Sequence, residues 1–187
     1  MKVIIIDNHD SFTYNLFHYV NNFIDEVDVF RSNEINIEDI AKYDKIILSP
    51  GPGLPHEHPS LEIIIERYYL DKSILGVCLG HQSIAQFFNA KIENMSCVKH
   101  GIQSVITHNN NCYLFNDLPT SFNIGHYHSW IVSKDSFPKS LIITSQNNDN
   151  FITSFKHIEL DIRGVQFHPE SVLTDFGLRM IENWIKH

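Results

Sequence analysis

Ser73-Ile74-Leu75-Gly76-Val77-Cys78-Leu79-Gly80 limits the fold more than any other stretch of this sequence. An apolar run leads into a cysteine set between two glycines, and Ser83-Ile84-Ala85-Gln86-Phe87-Phe88 continues with helical character. A strand that turns sharply into a helix leaves no room for side chains beside the turn, and Gly76 and Gly80 meet that need. The turn lifts Cys78 clear of the sheet edge. The first N–H groups and positive dipole end of the following helix favour a thiolate there. A free cysteine is often only a small core residue; the paired glycines favour a nucleophile.

The first half of the chain repeats this strand-then-helix grammar. Val3 to Ile6, Val27 to Phe30, Lys45 to Leu48 and Ile74 to Val77 are expected strands. Phe12 to Phe23, Ile37 to Lys42 and Pro59 to Tyr69 are expected helices, the first with Leu16, Tyr19, Val20 and Phe23 on one side and Asp10 or Ser11 as N-cap. Alternation of this kind predicts a parallel sheet covered on both faces, with its site beyond the carboxyl ends of the strands. The second half differs. Ser104 to Thr107, Leu141 to Thr144, Phe151 to Phe155 and Gly164 to Phe167 are short runs among polar loops, with hairpin turns expected at Asn109-Asn110-Asn111 and Asn147-Asn148-Asp149-Asn150. They predict a mixed or antiparallel β extension. A last amphipathic helix, about Asp175 to Lys186, should turn Leu178, Ile181, Trp184 and Ile185 inward.

At 187 residues, 43% of them hydrophobic, the chain suits a single domain, 1–187, around one well-packed core. A net charge of −8 without a Lys/Arg cluster argues against nucleic acid, whose phosphates need clustered positive charge. No apolar run nears the ~20 residues of a membrane span, and Met1 to Asp7 fits a first strand better than a leader. Cys78, Cys97 and Cys112 lack metal spacing and are odd in number, which suits a reduced, cytoplasmic setting with Cys97 and Cys112 structural. The pairs His56/His58 and His126/His128 raise a metal site, but neither HExxH nor paired CxxC accompanies them, so no metal is expected.

A thiolate needs a proton-transfer partner. Gln166-Phe167-His168-Pro169-Glu170-Ser171 offers one: in extended backbone, residues two apart project to the same side, so Glu170 can orient the His168 imidazole toward Cys78. Without Cys78, a plain surface pair would be the default reading. Ser49-Pro50-Gly51-Pro52-Gly53 is a stiff loop whose bare N–H at Gly53, together with that of Leu79, can form an oxyanion hole; it can also be only a turn.

These three segments, in this order, resemble the signatures of class I (triad-type) glutamine amidotransferases, over essentially the whole chain. Asp7-Asn8-His9-Asp10-Ser11-Phe12-Thr13-Tyr14-Asn15-Leu16, Tyr127-His128-Ser129 and Leu173-Thr174-Asp175-Phe176-Gly177 narrow the resemblance to the small subunits of anthranilate synthase and aminodeoxychorismate synthase. The resemblance implies a flavodoxin-like, mostly parallel central sheet flanked by helices. It implies Cys78, His168 and Glu170 as catalytic triad, Gly53 and Leu79 as oxyanion donors, and Gly51, Pro52, Gly53, Gln82, Ser129 and the backbone at Trp130 as holders of L-glutamine. Glutamine would pass through a thioester to glutamate, and the ammonia to a chorismate-binding large synthase subunit. No cofactor is implied for this step, and Mg²⁺ only in the partner. The family usually carries Arg, Leu and Lys where this chain has His126, Trp130 and Ile102; no catalytic position is touched. Alternatives are aminodeoxychorismate rather than anthranilate synthesis, or both; a non-catalytic regulatory subunit; and a free-standing cysteine hydrolase of another amide. No ATP-binding segment is evident, which argues against modules fused to ATP-using domains.

Overall fold

The structure, a computed structural model, describes residues 1–187, the side chains of Ser96 and Cys97 excepted. The expectation for Cys97 therefore lies outside the described side chains. Among the described residues, strands β1 (Val3–Asp7), β2 (Val27–Arg31), β3 (Lys45–Leu48), β4 (Ser73–Val77), β5 (Ile92–His108), β6 (Ser121–Val132), β7 (Leu141–Asn147), β8 (Ile152–His157) and β9 (Ile162–Val165) form one sheet in the order β2-β1-β3-β4-β9-β8-β7-β5-β6. The run from β2 to β9 is parallel, and β8, β7, β5 and β6 extend it antiparallel. This is the expected α/β fold with its antiparallel wing.

Burial on both faces explains the uninterrupted apolar strands. Along β1, Val3 and Ile5 enter one core and Ile4 and Ile6 the other. Helices α1 (Thr13–Asn21) and α4 (Gly177–Lys186) supply Leu16, Val20, Ile181 and Trp184 to the first; α2 (Pro59–Tyr68) and α3 (Leu79–Phe87) supply Leu61, Ile64 and Ile84 to the second. No helix of the described residues is long and apolar enough to cross a membrane.

Four expectations need correction. Asp10 accepts from the N–H of Phe12 and lies two residues before the N-cap position, which Phe12 itself takes, so α1 begins at Thr13 with no side-chain cap. Helix α4 begins at Gly177 because Phe176 sits in the left-handed region at φ 59° and stops the helix extending backward. Leu178 lies exposed, and Met180 takes the inward place beside Ile181, Trp184 and Ile185. The Asn109 to Asn111 segment is not a simple hairpin turn: it leads into a 3-10 turn, Tyr113–Phe115, before β6 returns along β5.

Candidate active site

The sheet order brings the three candidate segments together. β4 lies between β3 and β9, with Leu48 paired to Gly76 and Val77 to Val165. The Ser49 to Gly53 loop, Cys78 and the Gln166 to Ser171 segment therefore leave three adjacent parallel strands at the same edge. The N–H of Cys78 donates to Val165 O at 2.9 Å, which ties the elbow to the neighbouring strand.

Cys78 has φ 50° and ψ −99°, a conformation a residue with a Cβ seldom adopts. The glycines beside it are required by space. A Cβ on Gly80 would lie 2.2 Å from Leu48 O, and one on Gly76 2.5 Å from the Gly80 carbonyl. Helix α3 thus starts in backbone contact with β3, and Cys78, 6% exposed, opens into a pocket.

His168 and Glu170 are both buried, and His168 Nδ1 donates to Glu170 Oε1 at 2.8 Å. That bond fixes the tautomer and leaves Nε2 as the working nitrogen. Nε2 makes no hydrogen bond of ordinary geometry, as is common before a substrate binds. Burial opposes charge on the imidazole. The Cys78 sulfur and the Glu170 carboxylate outweigh it and hold His168 well above its ordinary range. Phe12 and Tyr127 set their rings against the imidazole at 5.5 and 5.0 Å between centroids, so Phe12 shapes the site as well as the start of α1. Thr174 Oγ1 donates to His168 O at 2.6 Å, tying down the backbone.

A pocket of about 130 Å³ is lined by Gly51, Pro52, Gly53, Cys78, Leu79, Gln82, Ser129 and Trp130, with Tyr127 and His128. Every expected glutamine-holding position is therefore on its wall. Gly53 takes φ +76°, and Gly51 packs where a Cβ would meet Asn8 and Leu79 at 2.6 to 2.8 Å. Asn8 braces the loop root from β1: its N–H donates to Ser49 Oγ and its Nδ2 to Ser49 O, both at 2.9 Å.

Gln166 was not among the expected site residues. It is buried, its Nε2 points at Cys78 Sγ at 3.6 Å, and its Oε1 accepts from Gln82 Nε2 at 3.1 Å. Gln82 also donates to Trp130 O at 2.9 Å. An amide amid the apolar run Val165-Gln166-Phe167 is the signal that would have found it.

His126 and His128 form a second network. His128 Nδ1 must donate to Trp130 O (3.1 Å), so its Nε2 accepts from His126 Nδ1 (2.9 Å), and Ser104 Oγ donates to His126 Nε2 (2.6 Å). The Trp130 carbonyl thus has both lone pairs engaged. One added proton turns the Ser104 hydroxyl round to accept from His126 Nε2; a second would set N–H against N–H between the two rings and break the chain. Burial pushes His126 down to about 4 and His128 to about 3, and the fully buried His81 also to about 3. Unfolding frees each to bind a proton below its ordinary value of 6.5. The stability they leave intact above that value is lost as pH falls toward 4. His168 has the opposite sign: its contribution is fully present below that value and is lost as pH rises above it, so it leaves this acid-side fall unchanged. Urea midpoints should fall steeply between pH 6.5 and 4, with uptake of about three protons on unfolding near pH 5; a flat profile would contradict these burials.

His58 donates from Nε2 to Pro52 O at 2.8 Å, and among the described residues no group of three or more His, Cys, Asp or Glu is placed to hold a metal. Cys78 and Cys112 are free thiols; Cys112 lies in the core, where burial raises its thiol.

Comparison with known proteins agrees with this geometry. The sequence family described as Glutamine amidotransferase class-I has a model that matches residues 4–187. Anthranilate synthase component 2 of Pyropia yezoensis is 42% identical over 188 residues, covering 99% of each chain. Aminodeoxychorismate/anthranilate synthase component 2 of Bacillus subtilis is 40% identical over 188 residues, covering 98% of this chain and 95% of that one. A crystal structure of a Thermoplasma acidophilum protein described as a GMP synthase subunit superposes with a TM-score of 0.90 over 100% of this chain and 92% of its own; at 21% identity it speaks to the fold alone.

Proposed function

The chain belongs to the class I glutamine amidotransferase family, and from that premise we propose that it is the glutaminase subunit of a chorismate-using synthase. The observation that carries this is the meeting, at the ends of β3, β4 and β9, of Cys78, the buried His168–Glu170 pair and the glycine loop.

The chemistry follows from the placement. Cys78 Sγ, its proton held by His168, attacks the side-chain carbonyl carbon of L-glutamine. The carbonyl oxygen becomes an oxyanion facing the N–H groups of Gly53 and Leu79. Collapse of the tetrahedral intermediate breaks the C–N bond, and His168 gives its proton to the departing ammonia. Glu170 stabilises the imidazolium throughout. His168 then takes a proton from water, whose oxygen attacks the thioester; glutamate leaves and the thiol is restored. Thiol, imidazole and carboxylate suffice, and any Mg²⁺ belongs with the partner. Gly51, Pro52, Gln82, Ser129 and Trp130 hold the glutamine, with Gln166 backing the sulfur. A reducing, cytoplasmic setting suits the free thiols.

Relatives named for anthranilate synthase support ammonia delivery to a large subunit that aminates chorismate to anthranilate. The relative named for both synthases supports service to aminodeoxychorismate synthase as a second reading. Mixing the chain with each type of large subunit, chorismate and glutamine tests both. Anthranilate is the expected product and aminodeoxychorismate marks the second reading. Neither product, with hydrolysis unchanged by either partner, would sink the subunit reading in favour of a free-standing hydrolase.

A further inference from the structure

His56 and His58 stand out in the sequence for a spacing that the reaction above leaves without a role, and the structure gives His58 a specific bond. Its Nε2 lies 2.8 Å from Pro52 O. A carbonyl only accepts, so Nε2 carries the hydrogen. The peptide that His58 holds by its oxygen is the one whose nitrogen belongs to Gly53. A trans peptide is planar, with its C=O and N–H pointing in opposite directions, and no peptide bond among the described residues is cis. A grip on Pro52 O therefore sets the direction of the Gly53 N–H.

This matters because Gly53 itself offers no resistance. It has no side chain, and its φ of +76° is one of several conformations open to glycine. The next peptide is held too: the N–H of Leu54 donates to Glu57 Oε1 at 2.9 Å. Both grips come from one short rigid unit. The 3-10 turn Pro55–Glu57 is closed by Glu57 N to Leu54 O and His58 N to Pro55 O, both 2.9 Å. His58 O accepts from Leu61 N at 3.0 Å, and Pro59 starts α2 directly after it. The imidazole thus stands on the first turn of a packed helix and reaches back six residues to the loop.

We propose that His58 is a positioning residue for the oxyanion hole: it holds the Pro52–Gly53 peptide with its N–H turned into the Cys78 pocket. The proposal rests on the glutaminase reading and on Gly53 as an oxyanion donor. His58 is not among the residues that line the Cys78 pocket. Its loss would misdirect a group used only once the oxyanion forms.

The test measures glutamine hydrolysis with the large subunit bound, beside the rate at which iodoacetamide alkylates Cys78. Alkylation needs the thiolate and its base and forms no oxyanion. His58→Ala is expected to lower kcat about 10- to 100-fold with KM within about twofold, since the lost interaction is made in the transition state. Its alkylation rate should match wild type. His58→Gln, whose amide N–H reaches a similar position, should recover most of kcat. Wild-type kcat in His58→Ala would overturn the proposal. So would a loss that Gln does not repair, or an equal fall in alkylation, which would mean general disruption of the site. If the wild-type complex alkylates at Cys78 but hydrolyses no glutamine, the glutaminase reading itself fails.

Discussion

Cys78→Ala in the assembled complex is expected to abolish glutamine-dependent product formation while added ammonium salt still supports it. Removing the nucleophile of an acid–base–nucleophile system costs on the order of 10⁶-fold in kcat, which would take hydrolysis to background. The fold should survive. Cys78 is small, and its N–H bond to Val165 O belongs to the backbone, which alanine keeps. Alanine also keeps the Cβ and hence the strain at φ 50°, so the comparison isolates the sulfur. Ammonium rescue separates two failures. A variant that loses both activities has lost its docking or its fold. One that loses glutamine use alone has lost the chemistry assigned to Cys78. Wild-type-like hydrolysis would remove Cys78 from the mechanism, and the raised His168, which depends on that sulfur, would lose its role with it.

The parallel half of the fold was legible because burial on both faces leaves a strand no polar positions to hide. Val3 to Ile6, Ile46 to Leu48 and Ile74 to Val77 are such runs, and all three lie in central strands. The wing was less legible. β5 spans Ile92–His108, of which only Ser104 to Thr107 stood out, and its pairing with β6 shifts register between Asn94 and Lys99 and again between His100 and Ile102. Shifts of that kind destroy the period-2 signal. β6 carries Asn123, His126 and His128 in a strand, residues whose partners are each other or a distant loop. The triad members were readable as types, one elbow and one His-x-Glu pair. Their meeting depends on β9 lying beside β4, some ninety residues away in sequence, a pairing that no local pattern encodes. Gln166 shows the same limit: a buried amide announces a partner without saying which.

Gly177→Ala is expected to destabilise the protein by about 3 kcal/mol or more and to cut hydrolysis with it. A Cβ at Gly177 would lie 1.7 Å from Pro169 O and 2.7 Å from its carbon, so backbone must move. Neither side of that contact can yield cheaply. Pro169 sits between the two residues of the buried His168–Glu170 bond, and the following turn is held by Thr174 N to Ser171 O and by Asp175, which bonds Asn123 through both backbone and side chain. On the other side, α4 packs Met180, Ile181 and Trp184 into the same core as Val165 and Phe167. Shifting the helix opens that core; shifting the loop pulls His168 from Cys78. Gly101→Ala is the control. Gly101 has φ +66°, but the nearest atom to an added Cβ is 4.0 Å away, so only left-handed strain of about 1–2 kcal/mol is incurred. Urea midpoints for the two variants decide the point. If Gly177→Ala costs no more than Gly101→Ala, close contact between α4 and the catalytic loop is not what holds the His168–Glu170 pair in place.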